Sequence, residues 1–317
     1  MARYRDSLPQ LAARIFLTDS GLETHLIFHK GVELPGFAAF TLLSDEHGTE
    51  LLRDYFREHA VIAAQHETGC VLESPTWRAS TDWGERLGYD AEALAEVNRK
   101  AIELLVNLRD ELGEVTGPIV ISGNIGPRGD GYQPDVRFTE NEARDYHRPQ
   151  LATFAGTAAD LATALTLTTV AEAVGIARAA GDVDMPVVLS FTVETNGVLP
   201  DGTRLAEAIS AVDEATDSYP AYYMINCAHP THFADAIASC EDWMPRIRGI
   251  RAHASRMSHA ELDAAEELDD GDPLELGAEY AALRAEHPGL TVLGGCCGTD
   301  VRHVRAIADA CLASQLT

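Results

Sequence analysis

Lysine is nearly absent from this chain of 317 residues: Lys30 and Lys100 are the only two, set among 24 basic and 50 acidic side chains. The formal charge of −26 leaves no basic face for nucleic acid or an anionic membrane, so neither is expected as a partner. No CxxC pair occurs, which removes the usual knuckle of a closed structural zinc site. There is no GxSxG elbow for a Ser/His/Asp hydrolase. The glycine-rich segment 123–131 lacks both the GxGxxG order and a P-loop lysine, so it reads as a loop near a substrate and not as a phosphate cradle. Residues 1–20 scatter Arg3, Arg5, Asp6 and Arg14 where a signal peptide would need an apolar run, and the long low-charge stretch 151–180 is broken by Asp160, Glu172 and Arg178. No leader and no membrane span are expected, and a cytoplasmic protein is. Neither a repeat nor a linker divides the chain, and an apolar fraction of 46% suits one large core. A single domain over residues 1–317 is expected.

What is present is concentrated sulfur. Gly-Gly-Cys-Cys-Gly-Thr occupies residues 294–299, and an isolated Asn-Cys pair stands at Asn226 and Cys227. Each follows a short apolar run, at 290–293 and 221–225, so both cysteine sites fall where buried strands end. If those strands are parallel members of one barrel, their C-terminal ends share a face, and Cys227, Cys296 and Cys297 become neighbours. Adjacent side chains on a regular strand point to opposite sides, so the pair can serve one metal only where the backbone leaves strand geometry, which the surrounding glycines permit. Three thiols form a soft site suited to zinc with a fourth position left open. A disulfide between neighbours is strained, and nothing else marks an oxidising compartment. Cys70, Cys240 and Cys311 carry no motif and read as buried apolar packing.

Eight candidate strands lie at 14–19, 71–76, 119–123, 161–167, 186–193, 221–226, 247–253 and 290–293. Helical patterns at 91–112, 141–159, 169–180, 205–211, 231–240 and 301–312 alternate with them, the last with Thr299 or Asp300 as its N-cap. Alternation of this kind implies parallel pairing, and eight is the number of a (β/α)8 TIM barrel. The acidic segment 255–273 reads as a solvated excursion. Its Asp269-Asp270-Gly271-Asp272 lacks the spacing of a calcium loop.

The cysteine pattern resembles the homocysteine S-methyltransferase family, whose zinc is held by one cysteine of an Asn-Cys strand end and two of a Gly-Gly-Cys-Cys-Gly-Thr strand end. The likeness continues through Thr18-Asp19-Ser20-Gly21, similar to the family's Asp-Gly-Gly, through Glu73-Ser74-Pro75-Thr76-Trp77, similar to Glu-x-x-Thr-aromatic, and through Ser122-Gly123-Asn124-Ile125-Gly126-Pro127. It implies a (β/α)8 barrel that methylates a thiol. It also implies that Asp19 meets the substrate ammonium and that the amides of Ser20 and Gly21 meet its carboxylate. Ser20 departs from the family's glycine. On the fourth strand the family's glutamate, which also grips the ammonium, is replaced by Leu165, and Glu73 or Glu194 is the candidate to fill that space. Asn124 and Asn226 end strands on the same face and are expected to orient substrate or the metal loop.

Zinc removes the proton of a thiol and leaves a usable sulfur nucleophile, so the expected chemistry is methyl transfer from an onium donor to homocysteine, giving methionine. S-methylmethionine or S-adenosylmethionine is favoured over betaine, and a corrinoid donor would need modules for which 317 residues leave no room. Trp77, Tyr222 or Tyr223 could supply an onium pocket. His229 and His232 form an HxxH that reads as helix capping or hydrogen bonding. The alternatives are the same chemistry on another thiol and a non-catalytic protein that binds or senses zinc and thiols. Oligomeric state is not readable from the sequence.

Overall fold

The computed structural model describes residues 1–113, 117–132, 138–238 and 243–313. Eight strands, β1 (Phe16–Thr18), β2 (Gly69–Glu73), β3 (Ile119–Ile125), β4 (Leu161–Leu167), β5 (Val187–Phe191), β6 (Tyr222–Asn226), β7 (Ile247–Ala252) and β8 (Val292–Gly295), close in chain order into a parallel barrel, with β8 pairing back onto β1. Their near-continuous apolar sequences follow from burial on both faces, since helices cover the outside and side chains fill the inside. The covering helices are α1 (Glu46–Gln65), α2 (Ala91–Leu112), α3 (Glu140–Ala155), α4 (Val170–Gly181), α5 (Leu205–Ala215), α6 (Pro230–Ala238), α7 (Pro273–Glu286) and α8 (Val301–Ala313). The (β/α)8 expectation holds, with every strand where the apolar runs put it and boundaries displaced by at most a few residues.

Two of these covering helices were not anticipated. In α1 the buried positions Leu52, Tyr55, Phe56, His59, Ala60 and Ala63 recur at helical spacing behind an Asp45 N-cap, and α7 repeats the pattern through Leu276, Tyr280 and Leu283 behind Asp272. Asp300, of the two caps expected for α8, accepts the Arg302 amide at 2.9 Å. The expected end of α6 and the packing assigned to Cys240 fall outside the described residues. Cys70 and Cys311 are buried as expected.

Inside the barrel, Phe16, Val71, Val120, Leu161, Val188, Tyr222, Met224 and Val292 pack with Leu8 of the N-terminal segment. That segment is tied down by Asp160, a fully buried residue that accepts the Tyr4 amide at 2.8 Å and the Ile121 amide at 2.9 Å and pairs with Arg109 at 3.0 Å. Asp160 therefore closes the end of the barrel opposite the cysteines. No helix among the described residues is long and apolar enough to cross a membrane.

Candidate active site

The metal loop is shaped by its glycines. β8 ends at Gly295, the Thr299 amide returns to the Cys296 carbonyl at 3.1 Å, and between them Gly298 sits at φ 78°, a conformation open to glycine without steric cost. Gly294 packs directly on Thr18 of β1, where any Cβ would collide. At the end of β6, Cys227 itself adopts φ 54°, held by the hydrogen bond its amide N–H donates to the Arg251 carbonyl at 3.0 Å. The strand departures turn three sulfurs toward one point, all within 4.8 Å of one another. The edge of a zinc–sulfur tetrahedron is about 3.8 Å for bonds near 2.3 Å, so a small contraction around a bound ion suffices, and the donor set has the right softness. Hydrogen bonds from the Cys227 and Cys297 thiols, assisted by the Arg251 charge, hold Cys296 well below the ordinary thiol range, while burial pushes Cys227 up.

The sulfurs open onto a cavity of about 310 Å³. Asp19, Ser20, Gly21, Glu73, Asn124 and Leu165 line it. Glu194 does not. Its carboxylate lies 3.3 Å from His259 Nδ1, off the cavity wall, and so does not fill the space left by Leu165. Asn226 is fully buried beneath the site, with Oδ1 accepting from the Thr166 amide at 2.8 Å and from Ser190 Oγ at 2.7 Å and with Nδ2 donating to Thr166 Oγ1 at 2.8 Å. These bonds hold Thr166 at φ 63°, an outlier for a β-branched residue, within the irregularity of β4 that aims Leu165 and Thr166 at the cavity. Asn226 Nδ2 also donates to Cys296 Sγ at 3.7 Å, so Asn226 shapes the wall and orients the metal loop, the second of the two roles expected for it.

The first-strand loop also differs from expectation. The Ser20 amide donates to Tyr55 Oη at 3.1 Å and the Gly21 amide to the Thr299 carbonyl at 3.2 Å, so both amides meant for a substrate carboxylate already serve the fold. Asp19 is paired with Arg251 Nη2 at 2.8 Å, and Glu73 lies 3.9 Å from Arg251 Nη1. Arg251 also donates to the carbonyls of Gly295 at 3.0 Å and Ser20 at 3.3 Å, binding the metal loop to the first-strand loop. Burial still raises Asp19 to about 7, against the pull of that guanidinium.

Sequence reasoning missed Arg251, Tyr132 and His259. Tyr132, from the loop after β3, puts its hydroxyl 3.3 Å from Cys227 Sγ and stacks on the His259 ring at 4.1 Å. His259 donates from Nε2 to the Cys227 carbonyl at 3.1 Å. It belongs to the segment read as a solvated excursion, which instead forms a short helix, His259–Asp263, with His259 buried and Asp263 on the cavity wall. The aspartates further along are spent structurally: Asp270 pairs with Arg302, and Asp272 caps α7. Among the aromatics considered for an onium pocket, Trp77 lines the cavity, whereas Tyr222 and Tyr223 are buried in the barrel wall. His229 Nδ1 accepts the Thr231 amide at 3.3 Å at the start of α6 and His232 donates to the Arg256 carbonyl, so the HxxH does cap and bond.

Beneath Ser20, His59 donates Nδ1–H to the Tyr55 carbonyl at 2.8 Å, which leaves Nε2 to accept Ser20 Oγ–H at 2.8 Å. Burial pushes His59 from 6.5 down to about 4, so below pH 6.5 the unfolded chain binds a proton that the folded chain refuses. Its contribution is complete above pH 6.5 and lost as pH falls toward 4, by about 2 kcal/mol at pH 5. Thermal melts from pH 7.5 to 4.5 should show this component in the wild type and its absence in His59→Gln.

A family model described as homocysteine S-methyltransferase matches residues 16–311. The chain is 26% identical over 245 residues to homocysteine S-methyltransferase YbgG of Bacillus subtilis, covering 70% of this chain and 74% of that protein. It is 22% identical over 300 residues to homocysteine S-methyltransferase 2 of Arabidopsis thaliana, covering 83% and 88%. The metallated crystal form of the homocysteine methyltransferase MmuM from Escherichia coli superposes with a TM-score of 0.73 at 18% identity, over 93% of this chain and 96% of that one, a likeness of fold.

Proposed function

The chain belongs to the homocysteine S-methyltransferase family and is an S-methyltransferase, and from that premise we propose that it moves a methyl group from a small sulfonium donor to the thiol of homocysteine with zinc on Cys227, Cys296 and Cys297. The observation that carries this reading is the convergence of those three sulfurs at a cavity lined by Asp19, Glu73 and Leu165. Zinc, when bound, keeps a substrate thiol deprotonated while leaving its sulfur nucleophilic at neutral pH. The reaction breaks the donor's methyl–sulfur bond, forms the methyl–sulfur bond of methionine, and releases one proton and a neutral thioether.

The protein's own part is position and exclusion of water. Phe37, Trp77, Leu165 and the Tyr132 ring supply an apolar lining where a methyl sulfonium loses its hydration. Arg78 stacks over Trp77 at 4.1 Å and is held there by donating to the Gly129 carbonyl, which stiffens that wall. Backbone bonds from the Cys296 amide to Ala252 and from the Ala254 amide to Cys297 fix the cysteine loop to β7, so thiol and methyl carbon can be held in line. Alignment of this kind supplies several kcal/mol of barrier reduction, up to about 7–11 in well-oriented systems. A single domain over 1–317 and S-methylmethionine or S-adenosylmethionine as donor belong to the same reading.

Reduced, zinc-loaded protein incubated with L-homocysteine and methyl-labelled S-methylmethionine or S-adenosylmethionine should yield labelled methionine, followed by mass spectrometry, with a rate proportional to zinc content. Turnover with another thiol in place of homocysteine would overturn the acceptor, and full activity after chelation would overturn the metal.

A further inference from the structure

The cavity holds more acid than its fold accounts for. Among its charged residues, Asp19 and Glu73 share Arg251, and Arg78 lies between the rings of Trp77 and Trp83, 4.1 Å from each, under the pull of Asp130. Glu23 has no such close partner: among the described residues no other side chain hydrogen-bonds or ion-pairs with its carboxylate, and only the more distant charges of Arg251 and Arg78 draw on it, while Cys296 and Asp19 repel it. Two further acceptors on the wall, Glu73 Oε2 and Asn124 Oδ1, are buried without a hydrogen-bond partner among the described residues. Beside the unpartnered Arg251 Nη1, which suits a carboxylate, a wall with two unpartnered acceptors and a carboxylate that lacks a close cation is matched by a positively charged donor, and an ammonium, with three N–H donors and no acceptor, is that group.

Glu23 is also fixed with respect to the chemistry. On its N-terminal side Gly21 is bonded to Thr299, and on its C-terminal side Thr24 Oγ1 donates to the Gly21 carbonyl at 3.0 Å and accepts the Gly298 amide at 3.1 Å. The short helix carrying Glu23, Leu22–Thr24, is therefore clamped to the loop that presents Cys296 and Cys297. Across the same cavity Leu165 offers no charge, and Asp19 is already paired.

We propose that Glu23 is the specificity residue that receives the ammonium of the amino-acid thiol, in place of the carboxylate that Leu165 lacks. The inference rests on the thiol-methylating reading above and adds to it the residue that distinguishes an amino-acid thiol from a plain one. The test compares zinc-loaded wild type and Glu23→Gln in calorimetric titration and steady-state turnover, using L-homocysteine and 4-mercaptobutyrate, the same thiol acid without its ammonium. Glu23→Gln should weaken homocysteine binding about 10- to 100-fold and leave 4-mercaptobutyrate within about twofold, as expected for loss of one charge-assisted hydrogen bond. Adding Leu165→Glu to Glu23→Gln should recover part of the homocysteine affinity and none for 4-mercaptobutyrate. Equal effects on both thiols, or wild type that binds the two equally, would overturn the role of Glu23 while leaving thiol methylation standing. A rise in donor KM with acceptor binding unchanged would overturn it in favour of contact with the sulfonium. Wild type that takes up neither thiol would sink the methyl-transfer reading itself and this role with it.

Discussion

Cys297→Ala protein should retain less than about 0.1 equivalent of zinc after gel filtration, against about one for the wild type, because a two-thiolate remnant cannot match a three-sulfur site whose binding energy accumulates ligand by ligand. Methyl transfer should fall by at least about 10³-fold, since the thiol would return to its protonated form at neutral pH. The fold should survive. Cys297 is only partly buried, and the bonds that close the loop around it run between backbone groups: the Gly295 amide to the Asp19 carbonyl, the Cys296 amide to the Ala252 carbonyl and the Thr299 amide to the Cys296 carbonyl. A melting temperature close to wild type with zinc gone is therefore the expected pair of results. Cys70→Ala is the informative contrast, for Cys70 is buried in β2 away from the cluster, and its loss should cost about 1 kcal/mol of packing while leaving zinc content untouched. Stoichiometric zinc and full turnover in Cys297→Ala would dispose of the three-sulfur centre, however close the sulfurs lie.

Those cysteines could be read from the sequence because each follows an apolar run that marks a strand end, and the Cys296-Cys297 end is marked again by the glycines around it. Apolar runs of this kind located all eight strands. What stayed hidden was the set of groups that arrive from elements with no such mark. Tyr55 and His59, which hold Ser20, come from α1, whose apolar positions at Leu52, Phe56, Ala60 and Ala63 carry the helical period and would have revealed it. His259 sits in a segment whose acidic composition reads as solvent-exposed, an average that conceals one buried ring. Tyr132 follows a glycine-rich run that identified a loop near substrate without saying which side chain would fold inward. Arg251 was concealed differently. In a strand that reads Ile-Arg-Gly-Ile-Arg-Ala, nothing local distinguishes a guanidinium facing solvent from one facing the mouth of a barrel; only the register of Arg251 opposite Asn226 and Gly294 does, and register is a property of the closed sheet. The amides of Ser20 and Gly21 were misassigned for a related reason, since their partners Tyr55 and Thr299 lie 35 and 278 residues away.

Arg251→Met should cost about 3–5 kcal/mol, lowering the melting temperature by about 5–10 °C, because it keeps the volume of the side chain and removes the one cation shared by two buried carboxylates. The pH dependence of that loss separates charge from packing. Burial already raises Asp19 to about 7 and raises Glu73 as well, with Arg251 opposing both shifts. Without the guanidinium both must rise further. A carboxyl whose folded pKa stands above its unfolded value favours the folded chain in its protonated form, so the stability it contributes is fully present near pH 4 and is lost as pH climbs through 7 and beyond. The Asp19 part of the gap between wild type and Arg251→Met should therefore be small from pH 4 to about 6 and widen as pH passes 7, where the wild-type carboxyl ionises beside the guanidinium and the variant's does not. A gap of constant size across that range would mean that Arg251 matters only as bulk. Because the same side chain also donates to the Gly295 and Ser20 carbonyls, the variant should hold zinc more weakly at neutral pH even where it is folded, and adding Asp19→Asn should recover stability without recovering metal affinity. Recovery of stability alone would place the ion pair in the service of the fold and the carbonyl bonds in the service of the metal loop, two tasks carried by one buried guanidinium.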